Sequence, residues 1–186
     1  ESSLTDPDIN VPNGHYMDTN MKSTFVPNRN AIFSSVIYAY AISIYKRTLK
    51  NTSICLGVHS GDHLIYPDCR PEFYKSIIQS FHLGNWDSDY IDTYLPYINF
   101  SKSEIIKDGV KSCKQLDLDF NLIYSNTITT YSPDKNGKSD GMTGSDVERI
   151  LSFNEIGIKD PGLYNKKWSE LLEYALNCEK EIISKD

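Results

Sequence analysis

One stretch of the chain, residues 57–73, concentrates side chains that can do chemistry. It reads Gly-Val-His-Ser-Gly-Asp-His-Leu-Ile-Tyr-Pro-Asp-Cys-Arg-Pro-Glu-Phe. Its imidazole, carboxylate, phenol, thiol and guanidinium groups offer proton transfer, hydrogen bonds to a polar ligand and positive charge for an anion. Loops that follow strands carry the chemistry of α/β proteins because a rigid scaffold holds them. We therefore predict that this stretch forms part of a functional site.

The elements around this stretch alternate as in a parallel α/β sheet. A short apolar run, residues 53–58, predicts a buried strand before it. Pro71 suits the first turn of a helix that we expect to end at Gly84. Residues 90–95 predict a second strand, and Ser101-x-x-Glu104 is a capping-box pattern that starts the next helix. Strands that alternate with helices in this way indicate a parallel sheet.

The rest of the chain reads as an arm and further helices. Residues 1–26 predict an extended arm or long loop, and a helix should follow from about residue 30 to Leu49. Its apolar positions follow the helical period and are predicted to lie in the core: Ile32, Phe33, Val36, Ile37, Tyr40, Ala41 and Ile44. Residues 120–124 read as a short strand or buried turn. Helices are predicted from Thr143 and over about 166–184, where Trp168 is either packed or part of a dimer surface.

Composition excludes several classes of protein. The chain has 186 residues and a net charge of −6, which argues against a general nucleic-acid or acidic-membrane surface. The sequence contains no apolar run of membrane-spanning length, and its start does not resemble a signal peptide. The four cysteines are scattered without a C-x-x-C pair, so we expect free thiols and a cytoplasmic location.

Several motifs together resemble the 7-cyano-7-deazaguanine synthases, a family of the PP-loop ATP pyrophosphatases. They are Phe25-Val-Pro-Asn-Arg-Asn30, Gly57-Val-His-x-Gly-Asp62, Tyr66-Pro-Asp-Cys-Arg-Pro-Glu-Phe73, Leu95-Pro96 and Lys102-x-Glu104-Ile105. The octapeptide that starts at Tyr66 is the most specific of them. The resemblance implies an α/β fold with a Rossmann-like parallel sheet flanked by helices, of the adenine nucleotide alpha-hydrolase type, with C-terminal helices. It covers most of residues 1–163, which we take as part of this domain, and residues 164–186 as a C-terminal helix.

The resemblance also implies an activity. The family is an ATP-dependent carbon–nitrogen ligase of the queuosine pathway, which makes 7-cyano-7-deazaguanine from 7-carboxy-7-deazaguanine and ammonia. A carboxylate is a poor electrophile until it carries a phosphate-type leaving group, so ATP, Mg²⁺ and cationic side chains are expected. Two alternatives stay open. The chain is either a divergent relative that uses another amine, such as a protein N-terminus in an anti-phage system, or a catalytically silent binding partner.

The matching motifs place candidate site residues on this sequence. The catalytic candidates are Arg70, Lys102 and Asp62. The candidates for binding substrate or ATP are Arg29, Asn30, Gly57, His59, Tyr66, Asp68 and Glu72. Lys102 lies near a helix start, where a cation is electrostatically unfavourable, and this favours a phosphate-binding role. Arg70 alternatively forms an ion pair with Glu72 or Asp68. His59 alternatively makes hydrogen bonds only within the loop. Cys69 is interpreted as a thiol that packs in the protein rather than as a nucleophile.

The sequence departs from the family pattern in two places. The phosphate loop, Ser-Gly-Gly-x-Asp-Ser, does not occur, so we expect a missing N-terminal part or a separate chain to supply it. The family's four-cysteine zinc site is also replaced, and the positions facing it read as Ser132, Asp140, Thr143 and Asp146. We predict that no zinc binds and that Thr143 and Asp146 form a helix cap instead. His59 and His63 are separated by Gly61 in a loop, which argues against a metal pair.

Overall fold

The structure, a computed structural model, describes residues 2–184. These residues form two compact units, which we describe separately. The sheet unit comprises residues 26–101, and the helical unit comprises the described residues up to Phe25 together with those from Lys102 onward. This division differs from the boundary predicted after residue 163.

The sheet unit is built from two helices and two parallel strands. They are α1 (Arg29–Thr48), β1 (Thr52–Cys55), α2 (Pro71–Gly84) and β2 (Ile91–Tyr94). The strands pair in parallel, with Thr52 opposite Ile91 and Cys55 opposite Tyr94. Helix α2 lies in the connection between the strands, so the unit contains the β–α–β arrangement that the sequence predicted. The mixed α/β class is confirmed.

Local chemistry explains where these helices start and stop. Asn28 precedes α1 with φ of 59°, a left-handed conformation that asparagine tolerates better than most residues. Leu49 ends α1 in the same region, with its N–H donating to the carbonyl of Tyr45 at 2.6 Å. Pro71 occupies the first turn of α2, where a missing N–H costs nothing. The predicted bounds of both helices are therefore confirmed to within two residues.

The core of the sheet unit lies on one face of the sheet. Its buried members are Tyr38, Ala41, Ile42, Ile54 and Ile91, with Tyr45 and Phe81 packed against them. Tyr38 stacks on Phe81 with ring centroids 4.6 Å apart, which fastens α1 to α2. The strand positions on the opposite face are exposed: Ser53, Cys55, Asp92 and Tyr94.

The predicted core face of α1 was largely wrong. Four of the residues assigned to the core, Ile32, Phe33, Val36 and Tyr40, are between 57% and 65% exposed. The buried face instead carries Ser34, Tyr38, Ala41 and Ile42. Apolar residues surround most of this helix, so its period alone does not select one face. The helix therefore presents a second, uncovered apolar face.

The helical unit holds four helices among the described residues. They are α3 (Lys102–Gln115), α4 (Phe120–Ser125), α5 (Gly144–Glu155) and α6 (Trp168–Ile183). Residues 120–124 were wrongly read as a strand or turn, because Asp119 caps a short helix by accepting the N–H of Leu122 at 3.1 Å. The core joins α5 to α6 through Val147, Ile150, Leu171, Ala175 and Cys178, and Trp168 packs against it.

The N-terminal arm is partly ordered by local hydrogen bonds. A 3₁₀ turn covers Thr19–Thr24, and Asp18 caps it by accepting the N–H of Asn20. Asn13 forms an antiparallel bridge with Thr143, so the arm contacts the start of α5. Among the residues that the structure describes, no helix is long and apolar enough to cross a membrane.

Candidate functional site

The connection between β1 and α2 is a chain of tight turns. Short 3₁₀ turns cover Ser60–Asp62 and Pro67–Cys69. Nδ1 of buried His59 accepts the N–H of Gly61 at 3.1 Å, and its Nε2 lies 3.4 Å from a carboxylate oxygen of Asp62. Gly57 is exposed just before these turns, and Tyr66 joins them by donating its N–H to the carbonyl of Asp62 at 2.9 Å. The structure thus brings the predicted residues of this loop together.

Asn30 fastens this loop to the start of α1. Its backbone N–H donates to Oδ2 of Asp68 at 3.3 Å, and its side-chain amide donates to the Asp68 carbonyl at 3.2 Å. The same amide reaches Sγ of Cys69 at 3.3 Å. Asp68 is buried, and its carboxylate lies at a helix N-terminus, where the backbone dipoles favour negative charge. A carboxylate far along the chain therefore caps α1.

The pKa values of Cys69 and Tyr74 reflect burial and the charges around the loop that carries Asp68. Burial, with smaller contributions from the charges of Asp62 and Asp68, raises the pKa of Cys69 to about 12. Burial likewise raises the pKa of Tyr74 to about 12, while the positive charge of Arg29 lowers both pKa values. A thiol with so high a pKa stays protonated near neutral pH and is a poor nucleophile. This supports the interpretation of Cys69 as a packing thiol, and it places the charge of Arg29 near enough to act on Cys69 and Tyr74.

Arg70 and Glu72 lie at the entrance to α2. Both side chains are exposed, and Nε of Arg70 donates to the carbonyl of His63 at 2.8 Å. This bond holds the guanidinium over the loop backbone rather than extended into solvent. Glu72 lies in the first turn of α2, where its charge suits the helix dipole. Arg29 and Arg70 are thus two guanidinium groups on the two segments that Asn30 joins.

Lys102, the third predicted cation, belongs to the helical unit. It is the first residue of α3, and its ammonium pairs with Oε2 of Glu148 on α5. The two side chains are only 18% and 9% exposed, so the pair is largely desolvated. The sequence pattern favoured a phosphate partner for this lysine, whereas the structure shows a carboxylate partner.

A second cluster of polar residues lies where the sequence suggested a replaced zinc site. Asp146 is 1% exposed, and its Oδ2 accepts the hydroxyl of Thr143 at 2.6 Å. The side chains of Ser139 and Thr130 also hydrogen-bond to Asp146. We call these four residues the Asp146 cluster. Thr143 is the N-cap residue of α5, as predicted, but its hydroxyl bonds to the side chain of Asp146 and caps no backbone N–H of the first turn.

The other two predicted positions do not belong to the Asp146 cluster. Ser132 and Asp140 are exposed, and Thr130 and Ser139 take their places beside Asp146. One signal in the sequence would have found Thr130. The family segment Thr-x-Ser-Cys-Tyr ends in an aromatic residue, and anchoring it on Tyr131 places the cysteine position at Thr130. Ser139 had no such signal, because it follows a turn whose length the pattern does not fix.

The Asp146 cluster does not fit a structural zinc ion. Zinc in such sites takes thiolate or imidazole ligands, and this cluster offers three neutral hydroxyls and one carboxylate. Burial raises the pKa of Asp146, and the hydrogen bonds from Thr143, Ser139 and Thr130 oppose that rise. Within residues 2–184, no group of three or more His, Cys, Asp or Glu side chains is placed to hold a metal ion.

Arg149, one turn beyond Asp146, was given no role by sequence reasoning. The guanidinium is buried and binds Asp160 through Nε at 2.6 Å and Nη2 at 2.8 Å. It also reaches the hydroxyl of Thr127 at 2.8 Å and the carbonyl of Tyr124 at 3.2 Å. A bidentate guanidinium–carboxylate pair is rigid and directional. Arg149 therefore holds the segments on either side of the Asp146 cluster.

The parallel β–α–β arrangement and the polar loop after β1 define a Rossmann-like α/β protein, a class that binds ligands beyond the carboxyl ends of its strands. The family model for the queuosine biosynthesis protein QueC matches residues 1–157. The chain is therefore a member of the QueC family, as the motifs predicted. No solved structure matches the chain.

Curated relatives agree with this assignment. The chain is 44% identical over 164 residues to 7-cyano-7-deazaguanine synthase 2 of Colwellia psychrerythraea, covering 88% of this chain and 67% of that protein. It is 44% identical over 160 residues to the 7-cyano-7-deazaguanine synthase of a Marinomonas species, covering 86% and 65%. The synthase of Caldicellulosiruptor bescii is 40% identical over 162 residues, covering 86% and 65%. The chain thus spans about two thirds of the length of the curated relatives it matches.

Proposed function

We propose that this chain contributes the substrate-activating site of a 7-cyano-7-deazaguanine synthase. The observation that carries the proposal is the bond network of Asn30, which holds the Tyr66–Phe73 loop against the start of α1. Two guanidinium groups, Arg29 and Arg70, and two carboxylates, Asp62 and Asp68, lie on the segments that it joins, in a chain whose curated relatives are named 7-cyano-7-deazaguanine synthase. The substrates are 7-carboxy-7-deazaguanine, ammonia and ATP.

Arg29 and Arg70 suit the anionic part of this reaction. In the reaction, a carboxylate oxygen of the deazaguanine attacks a phosphorus atom of ATP, the P–O bond to the departing part of the triphosphate breaks, and the carboxylate gains a phosphate-type leaving group. Ammonia then attacks the activated carbon, the leaving group departs with the electron pair of its C–O bond, and loss of a proton gives the amide. A second ATP activates the amide oxygen in the same way, and loss of that oxygen with its leaving group and of two protons from nitrogen gives the nitrile. Guanidinium groups bind phosphate and carboxylate through two parallel hydrogen bonds and stay charged at all relevant pH values. They therefore stabilise the charge that develops on the phosphate oxygens.

Asp62 and Asp68 are the carboxylates available for Mg²⁺. Mg²⁺ in phosphate-transfer sites is held by one or two carboxylates together with substrate phosphates. When bound, the ion neutralises phosphate charge. Asp62 lies in a half-buried turn with its carboxylate 3.4 Å from Nε2 of His59, and Asp68 accepts the N–H of Asn30, so both carboxylates already have partners within the protein. Dissociable Mg²⁺ that arrives with ATP fits this pair better than a permanent site does.

The remaining predicted residues have roles in binding. Gly57 has open space where a side chain would be, so substrate can approach the backbone after β1. His59, Tyr66 and Glu72 offer donors and acceptors along the loop. Lys102 stays a candidate for phosphate only if its ammonium leaves Glu148. The four cysteines are free, which suits a reaction in the reducing cytoplasm.

We also propose that the family's phosphate loop completes this site from the segment that makes up the remaining third of the relatives' length. Two features of the sheet unit support this. Parallel sheets are almost always covered on both faces, yet one face of this two-stranded sheet is exposed at Ser53, Cys55, Asp92 and Tyr94. The apolar face of α1 at Ile32, Phe33, Val36 and Tyr40 is uncovered as well.

Replacing Arg70 tests the function of the loop. Arg70→Ala in the natural full-length protein should lower kcat/KM by about 100-fold, since a positioned cation contributes about 2.7–4 kcal/mol to such a step. Arg47→Ala removes an exposed arginine from the last turn of α1 and serves as the matched control. Conversion of 7-carboxy-7-deazaguanine and unfolding temperature are both measured. Two outcomes would show that Arg70 is not a site residue. One is an equal loss of activity in both variants, and the other is a loss of activity explained by a lower unfolding temperature of Arg70→Ala.

A further inference from the structure

The Asp146 cluster gathers three separate segments of the helical unit. Thr130 lies in the loop after α4, Ser139 follows the turn at residues 134–138, and Thr143 and Asp146 start α5. The carboxylate of Asp146 accepts hydrogen bonds from the hydroxyl groups of the other three residues. One buried carboxylate therefore ties together segments that have no regular hydrogen-bonded pairing with one another.

Each hydroxyl in the cluster also fixes the segment that carries it. Oγ1 of Thr130 accepts the N–H of Ser132 at 3.3 Å, and Oγ of Ser139 accepts the N–H of Gly141 at 2.9 Å. Oγ1 of Thr143 lies 3.1 Å from Oγ of Ser145 in the first turn of α5. A hydroxyl can accept one bond while it donates another. The three hydroxyls thus link local turns to the central carboxylate.

Gly141 connects the cluster to the apolar core. Its φ of 75° is a left-handed conformation, and a Cβ at this position would lie 2.1 Å from Cδ2 of Leu171. The backbone between Ser139 and Thr143 therefore packs directly on α6. Since buried polar networks are stable only when their members are satisfied, a cluster next to this apolar core depends on the bonds that it makes internally. The cluster is built as a structural link rather than as an open ligand site.

We infer that the Asp146 cluster replaces the family's zinc ion, so that this chain folds and keeps its stability without a structural metal. Thr143 and Asp146 lie at positions that the sequence pattern assigns to zinc ligands, and hydrogen bonds to the Asp146 carboxylate link the segments that a metal ion would link. The hydroxyl donors point inward to an anion, whereas zinc ligands would have to point electron pairs inward to a cation. This inference does not depend on the proposed synthase activity.

Metal analysis of the purified protein gives the first test. We expect well under 0.1 equivalent of zinc per chain, and an unfolding temperature that EDTA and added ZnCl₂ leave unchanged. One equivalent of zinc with a fall in unfolding temperature on chelation would overturn the inference.

Substitutions give the second test. Asp146→Asn should lower the unfolding temperature by about 5–10 °C, since several bonds to a buried charge are lost. Asp140→Asn is the matched control, because this exposed carboxylate accepts only a local N–H from Met142, and it should change the unfolding temperature by less than about 2 °C.

Thr130→Val keeps the shape of the side chain and removes one donor, so it remains informative if Asp146→Asn does not fold. We expect it to lower the unfolding temperature by about 2–5 °C. Its effect should be smaller in the Asp146→Asn background because the two residues share one network. No effect of Thr130→Val, or an Asp146→Asn variant as stable as Asp140→Asn, would contradict the inference.

Discussion

Asn30 connects two parts of the candidate site through three hydrogen bonds. Two come from its side-chain amide, one to the carbonyl of Asp68 and one to the sulfur of Cys69. Neither acceptor is close in sequence, so the position of the loop over α1 depends on this residue. The octapeptide motif drew attention to Asp68 and Arg70, and the structure shows that Asn30 holds Asp68 and Cys69, the two residues that precede Arg70.

Replacing Asn30 should therefore separate positioning from stability. Asn30→Ala is expected to destabilise the fold by about 1–3 kcal/mol for two lost side-chain bonds. It should lower kcat/KM by about 10–100-fold, because a misplaced binding group costs more in rate than in stability. Both quantities are measured by steady-state turnover and urea unfolding.

Asn85→Ala is the matched control for this experiment. Its amide also donates to a backbone carbonyl, that of Phe81 at 3.0 Å, but at the exposed end of α2. It should leave kcat/KM within about 2-fold of the parent, consistent with the small effects of surface changes. A similar fall in kcat/KM for both variants would show that Asn30 has no special role in positioning.

His15 should make the helical unit sensitive to acid. Burial lowers its pKa below the ordinary value of 6.5, although Glu179, Glu148 and Asp18 oppose this shift. Its Nδ1 accepts the N–H of Met17 at 3.2 Å, a bond that protonation of Nδ1 would break. A base with a lowered folded pKa stabilises the fold while it is neutral. This contribution is lost as pH falls below about 6.5 toward the lowered value.

The measurement is unfolding temperature between pH 7.5 and 5.5 for the parent and His15→Asn. Asparagine does not titrate, and its Oδ1 can accept the same N–H. We expect the parent to lose more stability than the variant across this range. Burial raises the pKa of Asp146, which acts in the opposite direction in both proteins, so the difference between them isolates His15. Parallel pH profiles would contradict this account.

At the scale of elements, α3 and α5 are joined by two lysine–glutamate pairs of different burial. Lys102 pairs with Glu148 where both side chains are largely buried, and Lys107 lies 3.6 Å from Glu155 where both are exposed. A buried carboxylate that loses its cation is costly, whereas exposed pairs contribute little. The two pairs therefore provide an internal comparison on the same two helices.

Lys102→Met should destabilise the protein by about 3–5 kcal/mol, and Lys107→Met by less than about 1 kcal/mol. Urea unfolding of both variants measures the difference. If Lys102→Met is as stable as Lys107→Met yet inactive, the lysine serves phosphate rather than Glu148, as the sequence pattern suggested.

Elements differ in how well the sequence predicted them. Helix α2 was predicted closely because Pro71 marks its start and its apolar residues form one stripe. Helix α4 was missed because it is short and its apolar run fits a strand equally well. The buried face of α1 was also missed, since apolar side chains lie around most of that helix and only tertiary contacts select Tyr38 over Tyr40.

The candidate site was predictable to the extent that its residues are close in sequence. The loop residues from Gly57 to Glu72 could be selected because they lie between a strand and a helix and match one motif. Residues that act across the chain could not be assigned partners in this way. The link from Asn30 to Asp68, the pair of Lys102 with Glu148 and the place of Ser139 beside Asp146 all depend on folding.

At the scale of the molecule, the match to the QueC family model covers residues of both compact units. The loop residues of the candidate site belong to the sheet unit, and the Asp146 cluster belongs to the helical unit. The sheet unit exposes one sheet face and one apolar helix face, and the chain spans about two thirds of its relatives' length. Under the proposal that the phosphate loop completes the site, an assay of activity includes a segment that carries this loop.

The central claim is tested most directly by following nitrogen into the product. The natural full-length polypeptide, or this chain with a second chain that carries the phosphate loop, is incubated with ATP, Mg²⁺, 7-carboxy-7-deazaguanine and ¹⁵N-ammonia. Mass spectrometry should detect 7-cyano-7-deazaguanine with one ¹⁵N atom in its nitrile, together with AMP or another product of ATP. Intact ATP and unchanged deazaguanine, or a deazaguanine coupled to a different amine, would contradict the account.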